Sequence, residues 1–347
     1  MKDSGIVNLF RGMKWIIRTI LVIIGVIPFA RCNSGYKQKN GKVTFDGREM
    51  EGKGWIVLNE SFAKNDSVVY YKSRAFEYAD VATFAALDDH YAKDKYKVYY
   101  CDEYREGQNY YTTKKQTIVT IENAIPTSFE YIKDDYAKDE KLAYYKGRSF
   151  KVKDLATLAL INERFLKDKY QVYFERATVR NADPRSFRVL NQNYAEDTSH
   201  IYYYGFRNEV NNGIHQIPCN KETFTLLAYP YSKDDAAVFY VYTKISGADP
   251  ASFTTIWGDS SPEDVNYTKD KTYVFYKDKI LPEVNVPGFK IVGLGYGADG
   301  RHVYFQGRIV KGADPATFKT YEHGFGDADS EDATHKYNAG VRADKEI

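Results

Sequence analysis

The sequence predicts an all-β protein: a tandem array of short antiparallel strands in eight copies of a unit of about 29 residues, behind an N-terminal signal helix. Three observations carry this. Tyr and Phe are abundant, at 32 and 20 residues, and aromatic residues favour pleated, half-buried surfaces. Two short motifs recur in fixed register along most of the chain. The one sustained apolar run, Thr19 to Ala30, lies at the N-terminus behind Lys14 and Arg18.

The first motif is seen in Tyr91-Ala92-Lys93-Asp94 followed by Val98-Tyr99-Tyr100. Its polar anchor stands at Asn65, Asp94, Asp139, Asp168, Asp197, Asp234, Asp270 and Asp299. Two aromatic residues follow each anchor, five and six positions later. The second motif is Asn181-Ala182-Asp183-Pro184-Arg185-Ser186-Phe187, nearly repeated from Gly247 to Phe253 around Asp249 and from Gly312 to Phe318 around Asp314. Fifteen residues separate the two anchors in six copies, as from Asp139 to Asp154. Successive first anchors are spaced 29, 45, 29, 29, 37, 36 and 29, so longer loops follow Asp94, Asp197 and Phe253.

Each part of the unit has a physical reading. An Asp before the aromatic pair makes a turn by accepting from its own backbone two residues on. Stretches such as Gln171-Val172-Tyr173-Phe174 make a strand. Gly147 and Gly307 mark tight turns into a return strand. Asp-Pro-x-Ser/Thr-Phe is one helical turn, with Asp at the N-cap, Pro at the first position and Phe in the core. A third strand leads onward. Units of about three strands cannot bury both faces alone, so they stack edge to edge. Closure into a β-propeller is the alternative architecture.

Residues 13–32 have the layout of an export signal, with basic residues, a short apolar run and then small Ala30. Met13 gives a compact start. Cys32 stands where a lipoprotein would carry its lipid, although Arg31 before it is atypical; cleavage after Ala30 and an uncleaved anchor are the alternatives. The expected organisation is therefore a signal peptide or membrane anchor at 1–32, a polar tether and partial first unit at 33–59, the repeat domain at 60–325 and an acidic tail at 326–347.

Several function classes find no support. Lys plus Arg (49) nearly balances Asp plus Glu (47), for a net charge of +2, so no nucleic-acid footprint is present. Gly295-Tyr296-Gly297-Ala298-Asp299-Gly300 matches the dinucleotide glycine spacing, but Val303-Tyr304-Phe305 follows, a strand where that site needs a helix. Cys32, Cys101 and Cys219 form no C-x-x-C pair; Cys101 and Cys219 are either a disulfide or two free thiols. The six His form no H-x-x-x-H pair, and His200 and His302 read as solvent-facing strand residues. The alternating carboxylates at 326–332 fit either weak Ca²⁺ binding or a degraded last repeat, though the EF-hand spacing fails. No catalytic, cofactor-binding or metal-binding residue is expected.

The unit Y-A-K-D-x-x-x-V-Y-Y, a turn, then A-D-P-x-S/T-F resembles the bacterial DKNYY family over residues 60 to 320. The resemblance implies a repeat architecture and frequent export signals, and it brings no catalytic residues. Leu158 in place of Phe, Asn285 in place of Asp, and the copy at Asp94, which lacks a clean second anchor, depart from the pattern. Uniform repetition makes the recurring Asp residues structural, so a non-catalytic binding or scaffold module of the cell envelope is expected. Its partner would be a protein or carbohydrate at the cell surface, with the N-terminus at the membrane. An envelope hydrolase with its site in the inserted loops 101–125 or 204–219 is the alternative.

Overall fold

The computed structural model of the chain describes residues 34–105, 114–205, 213–256, 266–321 and 327–343. The signal-helix and lipidation expectations at 1–32, Cys32 included, lie outside these residues. No helix among the described residues is long and apolar enough to cross a membrane. The described chain is all-β apart from short 3₁₀ turns, as the sequence predicts.

Ten small antiparallel sheets follow one another, spanning 36–49, 56–75, 85–120, 130–150, 159–178, 188–217, 225–244, 254–280, 290–309 and 319–342. The first has three strands and the others four, each pairing in chain order. None closes into a barrel. The chain divides into two compact units, Met1–Arg180 and Asn181–Ile347, with five sheets in each.

Three expectations are corrected here. The copies number ten rather than eight. In the stretch 33–59, expected as a polar tether and partial first unit, Tyr36–Lys39, Lys42–Phe45 and Arg48–Glu49 form the first sheet, one strand short of the others, with Asn40 and Gly41 at φ 52° and 77° making its turn. The end of the chain is no acidic tail, since Ser330–Glu331, Lys336–Asn338 and Val341–Arg342 complete the tenth sheet. Nor do units stack edge to edge. Each hydrogen-bond ladder ends within its sheet, and within each compact unit consecutive sheets pack through side chains.

Those side chains explain the motif. The aromatic six positions after the anchor lies directly across from the second-strand aromatic: Tyr91 from Tyr100, Tyr136 from Tyr145 and Tyr267 from Tyr276, with ring centroids 5.0, 4.5 and 5.0 Å apart. The aromatic five positions after the anchor lies across from a small residue, as Tyr99 does from Ala92 and Tyr144 from Ala137. The Phe of the preceding helical turn packs beside them: Phe84 clusters with Ala92 and Tyr99, and Phe129 with Ala137 and Tyr144. At Gly297 the fit is tightest, for a Cβ would come within 2.4 Å of the Phe289 ring.

Each core cluster spans two consecutive sheets. Phe62, Tyr71 and Phe76 of the second sheet meet Phe84, Tyr99 and Cys101 of the third. In the other unit, Tyr231 and Val238 of the seventh sheet meet Phe253 and Phe275 of the eighth. Buried apolar area supplies most of the stability, and no single sheet could supply it alone.

A buried hydroxyl pins the junctions that follow the third, eighth and ninth sheets. Tyr91 donates to the Asp135 carbonyl at 3.0 Å and accepts from the Gly147 amide at 2.9 Å, both in the next sheet. Tyr267 does the same with the Gly295 carbonyl and Gly307 amide, at 3.1 and 3.2 Å. Tyr296 accepts from the Gly340 amide at 2.7 Å. The receiving turns are of the mirror-image type favoured by hairpins, as Lys146 and Gly147 show at φ 50° and 70°.

Gly147 is required twice over, because a Cβ there would also fall 2.6 Å from Cβ of Tyr100. Gly147→Ala is expected to cost more than 2 kcal/mol, beyond the ~1–2 kcal/mol of left-handed strain alone. Gly312→Ala, at φ +76° but with nothing within 4 Å, is expected to show only the strain. Urea midpoints of the two variants test the difference.

Candidate functional site

The recurring carboxylates are where a site would be sought, and each closes a corner of its unit. Asp168 Oδ1 accepts the amides of Tyr170 and Gln171 at 2.7 and 2.8 Å, forming the turn. Its Oδ2 accepts the Tyr173 hydroxyl at 2.7 Å and the amides of Lys153 and Asp154 at 3.0 and 2.9 Å. The same clasp recurs at Asp94, Asp139 and Asp197, each reaching a residue 14 positions earlier and a Tyr five positions later. Asp234 and Asp270 keep the backbone contacts and face Phe239 and Phe275 in place of Tyr. Asp299 holds Arg301, His302 and Asn285, while Tyr304 donates to Pro282 instead.

Burial alone would raise these carboxyls. Their accepted hydrogen bonds outweigh it and hold Asp94, Asp139, Asp168, Asp197 and Asp299 below the usual carboxylate range. The second anchors complete the corner. Asp183, Asp249 and Asp314 accept the hydroxyls of Ser186, Ser252 and Thr317 at 2.5, 2.6 and 2.7 Å. Those hydroxyls in turn accept the amides of Thr198, Lys271 and Ala333, one residue past the clasping Asp. The two motifs that meet therefore belong to different sequence copies: Asp183 meets Asp197 rather than Asp168.

Three corners escaped the sequence pattern. Ile125 and Asn220 donate their amides to Asp139 and Asp234 just as the second-anchor Asp residues do elsewhere. The surviving signals were Ser128-Phe129 and Thr223-Phe224. Asp332 is an eighth clasping carboxylate, holding Thr334, His335, Asp314 and Tyr337. Its signal was Tyr337 five positions on.

The other candidates are also absorbed. Asp329 accepts from Tyr296 and from Ala339, and Glu331 from Tyr321 while pairing with Lys319, so the acidic stretch is the degraded repeat. His200 and His302 close the Asp turns and are half-buried, in correction of the strand reading, and His335 does the same at Asp332. Tyr296–Ala298 and Val303–Phe305 are strands, which removes the dinucleotide reading. Cys101 and Cys219 are free thiols, and burial pushes both up. The insertion expected as a loop at 101–125 extends two paired strands of the third sheet, Val98–Tyr104 and Lys115–Thr120, and its Glu103 is held by Lys72 and Lys114 at 3.2 and 2.6 Å.

Two places remain where the pattern leaves groups unspent. In the second unit, the last hairpins of three successive sheets, at 276–279, 305–310 and 339–341, line an open groove of about 520 Å³. Lys277, Lys279 and Arg308 stand there against Asp278. In the first unit, Asp88 and His90 in the first hairpin of the third sheet meet Asp135 in the first hairpin of the fourth. His90 Nδ1 lies 3.0 Å from Asp135 Oδ1, and Lys146 Nζ 3.5 Å from Oδ2. The hydrogen bond to Asp135 raises the His90 imidazole, against its own burial. Burial works to raise Asp135, yet the contacts from His90 and Lys146 hold it below its ordinary value.

No match is found among curated proteins or among solved structures. The DKNYY family model matches residues 12–103, 102–177, 165–217 and 203–340. The matched segments cover every Asp–Tyr clasp described above and every sheet except the last strand of the tenth, Val341–Arg342, so the Asp and paired aromatics that define the motif are the groups that close the corners. The chain belongs to the DKNYY family.

Proposed function

We propose that this protein is a non-catalytic binding or scaffold module, exported to the cell envelope and held at the membrane by its N-terminus. One observation carries the reading: the carboxylates that recur along the chain are consumed by backbone amides and tyrosine hydroxyls, so their number measures corners and not chemistry. A general acid or base must exchange its proton near the working pH, and a carboxylate held low by several donors does not. Binding is left to the exposed hairpins. The groove over the last three sheets offers three cations and the faces of Tyr276 and Phe305 to a protein or carbohydrate partner at the cell surface.

Export rests on Lys14, Arg18 and the apolar run from Thr19 to Ala30, with Cys32 as the lipidation candidate. The test is fractionation of cells fed a labelled palmitate, with the full chain and with Cys32→Ala. The full chain is expected in the membrane fraction and labelled, and Cys32→Ala unlabelled. A full chain found wholly in the cytosol would remove the envelope reading. Steady turnover of any glycan or peptide by the purified chain would remove the non-catalytic one.

A further inference from the structure

Asp88, His90 and Asp135 stand at positions that the fold fills differently elsewhere, and there the comparison between copies becomes informative. The first hairpin of a unit is closed by an Asx side chain that accepts two amides. Asn59, Asn162 and Asn191 do this for Phe62, Phe165 and Tyr194 and for the residue before each. The turn therefore needs a side-chain oxygen and no charge. The next-but-one position is Ser61, Arg164 or Asn193 in those copies. In the third sheet alone, among these four, the pair is Asp88 and His90, a carboxylate and an imidazole where an amide and a neutral or cationic side chain suffice. The adjacent hairpin, of a different turn type, then brings Asp135 to the same spot.

One ligand atom from each of the three lies within 4.8 Å of the others. Donors about 2.0–2.1 Å from a tetrahedral ion sit roughly 3.3 Å apart. The His90 Nδ1 to Asp135 Oδ1 separation of 3.0 Å is close to that without rearrangement. The surroundings also support the ligands. Tyr100 donates toward Asp135 Oδ1 at 3.4 Å, and the Asp135 carbonyl is fixed by Tyr91. Asp88 keeps Oδ1 on the amides of His90 and Tyr91, and an ion bound to its carboxylate would share it with the Tyr131 hydroxyl. Lys146 opposes a cation, but it stands at Asp135 Oδ2, on the oxygen that does not face His90. One imidazole and two carboxylates form a borderline, anionic set suited to Zn²⁺ or a similar first-row divalent ion, with water completing the shell.

We infer that Asp88, His90 and Asp135 form a divalent transition-metal site that clamps the third and fourth sheets together. This goes beyond the binding-module reading and stands or falls independently of it. The repeat itself supplies variants that keep the turn: Asp88→Asn, as at Asn59, Asn162 and Asn191, and His90→Asn, as at Asn193. The untagged full chain is titrated with zinc sulfate by calorimetry, and its thermal midpoint is read with zinc and with chelator. The wild-type chain is expected to take up one ion at this site and to show a higher midpoint with zinc. Each variant is expected to match the wild-type midpoint in chelator and to lose at least tenfold in affinity for that ion. A wild-type chain that takes up no zinc would overturn the proposal. So would either variant, folded as wild type in chelator, binding with unchanged affinity and stoichiometry.

Discussion

Asp168→Ala is expected to destabilise the chain by about 4 kcal/mol. The carboxylate accepts five hydrogen bonds, from the amides of Lys153, Asp154, Tyr170 and Gln171 and from the Tyr173 hydroxyl. Asp168 is 2 % exposed and Tyr173 1 %, so water does not replace what is removed. Hydrogen bonds to a charged acceptor contribute about 1.5–3 kcal/mol each, and orphaned buried donors cost more, but bonds sharing one acceptor do not add. Asp168→Asn separates the two oxygens. Its Oδ1 keeps the turn, as Asn65 does with Ser67 and Val68. Its amide nitrogen then faces three donors, so a loss of about half that of the Ala variant is expected. Asp80→Ala is expected to lose least, because its partners Thr83 and Lys95 are exposed. Urea unfolding of the three variants checks the order, and an Asp168→Ala chain as stable as wild type would refute the clasp.

The strand order, the turns and the structural role of the Asp residues were legible because each follows from local chemistry repeated many times. An Asp two and three residues before the amides it accepts is a short-range contact, and repetition averages away the exceptions. The boundaries were less legible for the same reason. The sequence places Asp168 and Asp183 in one copy, at fifteen residues, whereas the hydrogen bond joins Asp183 to Asp197, fourteen residues on. Nothing in the spacing says which neighbour a side chain reaches. The terminal sheets were hidden where the marker residue changed while its backbone role did not. Lys39 takes the place of the Asp at one end, with Asn40 and Gly41 making the turn by their own conformation. At the other end Asn338 replaces the second aromatic of the pair.

The Asp88, His90 and Asp135 cluster was illegible for a different reason. Its members are ordinary turn residues in sequence, and His90 and Asp135 lie in hairpins of different sheets. No spacing rule for helical or loop metal motifs covers such a pair. Only the junction between consecutive sheets places them together, and that junction is set by long-range packing of Tyr91, Phe129 and Tyr144.

Above pH 10 the chain is expected to unfold cooperatively, with tyrosinate formation and loss of β structure in a single transition. Tyrosine dominates the core: Tyr91, Tyr136, Tyr231 and Tyr296 are 0 % exposed. Burial raises each of these hydroxyls above its ordinary value of 10.0, and Tyr194 is pushed up to about 12 by the same cause. In the clasps, burial acts first and the neighbouring carboxylate second, as for Tyr99, Tyr144 and Tyr202 with Asp94, Asp139 and Asp197. The direction of the linkage is fixed by these shifts. A group raised on folding binds its proton more tightly in the native state, so its contribution is complete below pH 10 and is lost as pH rises through the folded value. The rise at Tyr194 alone corresponds to about 3 kcal/mol, and domains are stable by only about 5–15 kcal/mol. Two or three such residues ionising together therefore amount to about 6–9 kcal/mol, comparable with the whole margin, which favours loss of the fold over titration one residue at a time. Absorbance of tyrosinate and far-ultraviolet circular dichroism followed over the same pH series should give coincident midpoints between pH 10 and 12. Gradual ionisation of most tyrosines with the β signal intact at pH 12 would mean that these rings are not sealed between consecutive sheets.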